Sequence, residues 1–373
     1  MKAKPWLFEA RPLRVMPFLK RVCLVGLSVT VVGCKGDDSI GTDPNAPTRG
    51  FRMGFSALPP RFDDATVIAV INHWSPRADA AIIHVSPPWQ ALVAGFTADT
   101  AVRALVLPLA QIYRTKNLQL FVVIDVTDGL NRTAEAPELR ALGRSITEPA
   151  IQAMYRRYAM AVAQIVQPDF LGLAAETNLI RLAAPRAVYD AVVRMTNDAA
   201  RELLNARVAT DLFVSVQVEV AWGRLQGGSQ YIGVEDDFRD FPFMRALGLS
   251  SYPYLVFPNP SDLPDDYFAR IPNGRTLPVV VVEGGWTSGA VGSVQSSPAK
   301  QAQYVVRQAQ LLERASAVAW LQLTYTDLDV SAFPPQPPGS SLALFTQLGF
   351  VDTQLRPKPA LATWDSLFAL RRR

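Results

Sequence analysis

From Arg49 onward the chain alternates short, nearly uninterrupted apolar runs with longer stretches whose apolar residues recur at helical spacing. Eight runs read as strands: residues 51–58, 80–86, 118–126, 170–175, 212–218, 246–251, 277–282 and 317–323. Most lack polar alternation, which is the pattern of parallel strands covered on both faces. Residues 63–74, 97–116, 147–167, 185–206 and 298–316 read as amphipathic helices between them. Thr147-Glu148-Pro149 and Ser297-Pro298 place a cap candidate and then proline near a helix start. Strand and helix in alternation imply parallel βαβ units, and eight such units closing on themselves make a (β/α)8 TIM barrel. No composition break divides residues 50–373, so one domain is expected there, with a doubly wound sheet as the alternative. The long fifth connection, residues 221–245, is expected to be a loop over the barrel mouth.

Ahead of the barrel the pattern changes. Lys20 and Arg21 precede an apolar run over residues 22–32, ended by Gly33 and Cys34. A positive flank and an apolar stretch too short to span a bilayer describe a secretory signal over residues 1–33. The polar stretch that follows Cys34 reads as a flexible tether over residues 34–49. Val31-Val32-Gly33-Cys34 resembles the lipobox of bacterial lipoproteins. That resemblance implies lipidation of Cys34 as the mature N-terminus and a membrane partner through the lipid. Lys35 rather than aspartate after the cysteine leans toward the outer membrane of a bacterial envelope, and Met16 is an alternative start.

Charge narrows the function classes. The formal net charge is +4, but residues 1–33 hold six basic groups against Glu9 alone, and from Cys34 onward 31 basic residues face 32 acidic ones. The basic balance belongs to the leader, so nucleic acid is not an expected partner. Two cysteines, Cys23 and Cys34, and two histidines, His73 and His84, exclude a disulfide scaffold and leave no ligand set for a multi-cysteine or multi-histidine metal centre. No cofactor is expected, and the chain is expected to be a monomer.

Two strands end in glutamate: Glu176 closes the fourth and Glu283, followed by Gly284-Gly285-Trp286, closes the seventh. An ionisable group at the end of an apolar run is costly unless paired or used, and a barrel's chemistry sits at the carboxyl ends of its strands. Glycoside hydrolysis needs two carboxyl groups facing one bond. By strand position and residue type the chain resembles the clan A retaining glycoside hydrolases, closest in flavour to the endo-galactanase and β-1,3-glucanase-like families. The closing segment Leu348-Gly349-Phe350-Val351-Asp352 to Ala360, with Trp364, also looks like that of clan members. The resemblance implies cleavage of O-glycosidic bonds by double displacement, with Glu176 as acid/base and Glu283 as nucleophile. It places Tyr252 near the nucleophile, with a packing tyrosine as the alternative.

Trp286 and Trp320 are candidate platforms for sugar rings. His84, Asp125, Gln217 and Gln322 lie late in their strands, where they could bond hydroxyls. Clan members carry asparagine before the acid/base residue; here it is Ala175, with Asn178 as a substitute. The arginine that steadies the nucleophile is not evident on the second strand, and Arg52 is its stand-in. A non-catalytic carbohydrate-binding surface lipoprotein on the same fold is the alternative function.

Overall fold

The computed structural model describes residues 47–373 apart from 57, 62, 226 and 334–339. The signal segment, Cys23 and the lipidation candidate Cys34 lie outside the described residues.

The core is a ring of parallel strands: β1 (Arg52–Ser56), β2 (Ala80–Val85), β3 (Gln119–Ile124), β4 (Phe170–Gly172), β5 (Asp211–Phe213 and Ser215–Gln217), β6 (Leu247–Ser251), β7 (Val279–Gly284) and β8 (Ala319–Gln322). Hydrogen bonding counts nine strands, because the sheet begins and ends on the two halves of β5, which Val214 alone separates. The first half pairs with β4 and the second with β6. The near-closed ring is consistent with a (β/α)8 barrel, and it removes the doubly wound alternative, which needs two open edges.

The apolar strands are explained by two clusters on opposite faces. Ala80, Ile82, Phe121, Val123, Phe213, Val280, Val282, Ala319 and Leu321 fill the barrel interior. Their neighbours in sequence, among them Ala81, Ile83, Val122, Val281 and Trp320, pack outward under the helices. Side chains alternate along a strand, so both faces must be apolar when both are covered.

Helices form largely where the periodicity puts them. Asp64–Trp74 is capped by Asp63, which accepts from the Thr66 N–H, and Pro298–Arg314 by Ser297, which accepts from the Lys300 N–H. The stretch 97–116 breaks into Ala98–Leu105 and Leu107–Thr115, because Pro108 has no N–H to continue the ladder. Pro149–Ala161 has Glu148 rather than Thr147 at its cap and runs into a π-helical turn, Val162–Val166. Among the described residues no helix is long and apolar enough to cross a membrane.

Two long connections follow strand ends, and the first carries a site residue. After β3 a small hairpin, Thr127–Asp128 with Asn131–Glu135, folds over the barrel end. After β5 the segment 221–245 packs on the chain that follows β6: Trp222 Nε1 donates to the Tyr267 carbonyl (3.0 Å) and Tyr231 Oη to the Arg270 carbonyl (3.1 Å).

Candidate functional site

Glu283 faces the barrel mouth against the simple alternation of β7. Val280 and Val282 point inward and Val281 outward, so a regular strand would turn Glu283 out toward the helices. The register with β6 slips by one residue, from Leu249 opposite Val281 to Ser250 opposite Glu283. Such a bulge re-aims every side chain beyond it. Gly284 then passes so close to β6 that a Cβ there would lie 2.2 Å from the Ser251 carbonyl oxygen, so only glycine fits.

Glu176 is reached by a different local device. Its backbone is left-handed, with φ 50° and ψ 46°, immediately before the helix Thr177–Ala183. A non-glycine residue in that region costs on the order of 1 kcal/mol or more and persists only where the surroundings hold it. Here the Glu176 N–H donates to Ser215 Oγ (2.9 Å). The kink turns a nearly buried carboxylate into the barrel axis, where Oε1 accepts from Ser250 Oγ (2.7 Å) and Oε2 from Arg132 Nε (2.9 Å).

Arg132, on the hairpin after β3, joins the acids. Its Nη1 donates to both oxygens of Asp125 (2.6 and 2.7 Å) and to Thr127 Oγ1 (3.0 Å). Its side chain is 6% exposed, and the surrounding carboxylates outweigh its burial and raise its pKa further above the usual range. Nη2 makes no hydrogen bond among the described residues. Breaking a buried ion pair costs about 3–5 kcal/mol, because the partner charge is left uncompensated. Arg132→Met is therefore expected to lower stability by that order, read as a fall in Tm, and Asp125→Asn by less, since Glu176 still pairs.

Around Glu283 the donors are neutral. Tyr252 Oη donates to Oε1, and His84 Nε2 lies 3.9 Å from Oε2 without a hydrogen-bond partner of its own. Burial, then the nearby Glu176 charge, push the Glu283 carboxyl up to about 8, against the opposing pull of the Tyr252 hydrogen bond and of Arg132. Burial pushes His84 down to about 4, so its imidazole is neutral at physiological pH. The two glutamates thus sit in unlike surroundings: one accepts at both oxygens, one of the donors being a permanent cation, while the other is desolvated beside a phenol.

The end of β6 ties the site together. Ser250 bonds Glu176, Ser251 Oγ bonds Glu219 Oε1 (2.8 Å) and Tyr252 bonds Glu283. Glu219 is wholly buried, also accepts from Tyr267 Oη (2.5 Å) and from Gln217 Nε2, and has its pKa raised by burial.

Of the residues singled out from sequence, the structure brings Glu176, Glu283, Tyr252, His84 and Asp125 together. It turns the others away. Trp320 is fully buried on the outer face of β8, against Trp364 (4.8 Å between ring centroids) and Phe51, because Ala319 and Leu321 take the inward positions. Trp286 is 1% exposed, packed on Tyr304 and Tyr254, with Nε1 donating to Ser296 Oγ (2.9 Å). Neither offers a face to a sugar ring.

Asn178 is spent on the backbone of Gln217, donating to its carbonyl (2.9 Å) and accepting from its N–H (2.8 Å), so it does not replace the asparagine missing at Ala175. Gln217 itself caps the short helix Val218–Ala221. Gln322 is fully buried against Gly285 and donates to the Leu348 carbonyl (3.1 Å), with no hydrogen bond to either glutamate. Arg52 begins β1 and so lies at the opposite end of the barrel, beside Asp79 and Asp169.

Arg132 and Ser250 escaped the sequence reading. The signal for Arg132 was the Asp128-Gly129 turn directly after the third strand, a hairpin cue that returns one arginine to the strand end.

No protein-family model and no curated protein matches the chain. Solved structures do match. An exo-β-1,4-mannosidase from Opitutaceae bacterium strain TAV5 is similar over 86% of this chain, with a TM-score of 0.63 and 15% identity; this chain spans 59% of its length. A GH5_18 protein from Bifidobacterium longum subsp. longum, solved in complex with Manb1-4GlcNAc, is similar over 87% of this chain and 80% of its own, with a TM-score of 0.59 and 14% identity. A β-glucuronidase from an uncultured Clostridium sp. matches at a TM-score of 0.54 and 9% identity, over 86% of this chain and 50% of its own. At such identities the likeness is one of fold, and the fold is the barrel that these glycosidases share.

Proposed function

We propose that the protein is a retaining glycoside hydrolase in which Glu283 attacks the anomeric carbon and Glu176 serves as acid and then base. The observation that carries this reading is the convergence of the glutamates ending β4 and β7 on one polar network at the end of β6. Two carboxyl groups held in unlike environments are what acid/base and nucleophilic roles require. A β-linked mannoside is the first substrate to test, since two of the similar folds belong to proteins named for, or solved with, such sugars. The protein is further proposed to be a bacterial envelope lipoprotein anchored through Cys34.

The ligand-free site sets a condition on turnover. Glu176 accepts at both oxygens, whereas Glu283 is held protonated near neutrality. Double displacement needs the reverse, so the proton must leave Glu283 and reach Glu176 as substrate displaces its donors. The alkaline limb of kcat/KM is then expected near pH 8, where the one proton that the pair shares is lost and none remains for the general acid, with apparent values that belong to the pair.

The same shift has a consequence that needs no substrate. A carboxyl with a folded pKa above its unfolded one binds more protons when folded, so its stabilising contribution is complete below the unfolded pKa and is lost as pH rises to about 8. Wild-type protein is expected to lose Tm across that window and Glu283→Gln to lose less. Identical Tm profiles in the two proteins would contradict the placement of the proton.

Carbohydrate binding without turnover is the second reading, favoured by Ala175 and by the donors on both oxygens of Glu176. Release of new reducing ends from β-mannans, β-galactans and β-glucans separates the two. If several glycans bind and none is cut, the binding reading stands.

A further inference from the structure

The end of the barrel opposite the glutamates gathers several cations without partners among the described residues. Arg52, Lys116, Arg207, Arg245 and Arg371 lie at or just before strand starts or in the C-terminal segment, and none makes a side-chain hydrogen bond or an ion pair among the described residues. The acids of this base are fewer. Asp79 is taken by Arg49 (2.6 Å) and Arg372 (3.2 Å), and Glu313 by Arg373, which leaves Asp169 and Asp211. Asp169 in turn accepts from the Leu120 N–H (2.8 Å). Two open clefts of about 590 and 380 Å³ share Gln119 and Asp169, the first bordered by Arg52, Lys116 and Arg372 and the second by Arg245. From Cys34 onward 31 basic residues stand against 32 acidic ones, so the excess of free cations here is an asymmetry and not a general basicity.

A second observation says what this face meets. The described chain begins on it: Thr48–Arg49 pairs in parallel with Arg371–Arg372. The segment before residue 47, with its apolar run at 22–32 and Cys34, therefore joins the body at the cationic end. We propose that the base is a docking surface for the anionic headgroups of a lipid bilayer, so that the barrel stands base-down with its glutamates facing away from the membrane. The orientation rests partly on the membrane anchoring proposed above; the electrostatic contact does not. Lysine and arginine close to an anionic surface attract it over about a Debye length, roughly 10 Å in 0.1 M salt.

The test uses the full chain and its Lys116→Gln/Arg207→Gln/Arg245→Gln/Arg371→Gln variant on vesicles of phosphatidylcholine alone or mixed with phosphatidylglycerol. Wild type is expected to bind the mixed vesicles on the order of tenfold more tightly, with the gain abolished by high salt. The variant is expected to match wild type on phosphatidylcholine and to lose the gain. Absence of a gain in wild type, a gain that survives high salt, or a gain kept by the variant would overturn the proposal. Equal, salt-sensitive binding of wild type to single-stranded RNA would overturn the commitment to lipid and mark a general polyanion face. Failure of both proteins to bind phosphatidylcholine, with the gain intact, would count against the anchor and leave the docking surface standing.

Discussion

Replacing Glu283 by alanine is expected to lower turnover by about 10⁴-fold or more on every substrate the protein cleaves. The carboxylate is the only group at the end of β7 that could form the glycosyl ester, and its neighbours cannot take its place. His84 is neutral and 3.9 Å from the carboxylate, and Tyr252 is a donor whose own pKa burial raises. The substitution removes a desolvated acid from beside Tyr252 and leaves one phenol to find a new partner, so the fold is expected to survive. Steady-state rates on the best substrate, with Tm measured beside them, decide the point. Retention of more than about a tenth of wild-type activity would remove Glu283 from the role of nucleophile.

Glu176→Ala is expected to divide substrates by leaving group. General-acid help is worth about 10²–10⁴-fold where the departing oxygen is a poor leaving group, and little where it departs readily as a phenolate. Hydrolysis of a natural glycoside should therefore fall steeply, while an activated aryl glycoside keeps its first step and slows only at hydrolysis of the glycosyl ester, where Glu176 acts as base. A burst of aryl product ahead of slow turnover would be the signature. Equal losses on both substrates would mean that Glu176 does not protonate the leaving group. The substitution also frees Ser250 Oγ and Arg132 Nε, so a fall in Tm is expected with it, smaller than for Arg132→Met because Arg132 keeps Asp125.

Arg132 makes the site unlike one in which a strand-borne amide steadies the sugar. Ala175, where that amide would stand, is buried inside the barrel, and the cation arrives from a hairpin instead. Its Nη2 is the donor left over after Asp125, Thr127 and Glu176 are served. This geometry gives the cleft one fixed positive charge between two acids, and it explains how three carboxyl groups can be packed into one barrel mouth.

The barrel was legible in the sequence because burial on two faces leaves a one-dimensional mark: apolar runs such as 118–126 and 277–282 have no polar alternation, and the helices between them keep their own period. The glutamates at the ends of two such runs were legible for the same reason, since a charge there interrupts an otherwise apolar segment. What the sequence could not carry was direction. Trp320 and Glu283 both belong to apolar strands, yet alternation turns one under the helices and a one-residue slip of register turns the other into the mouth. Nor could it carry the pairing of Arg132 with Glu176, 44 residues away, or of Ser250 with Glu176, 74 residues away. Residue type and local period decide which elements form and what they cover. Register, backbone kinks and contacts between distant elements decide which side chains meet, and these exist only once the ring has closed.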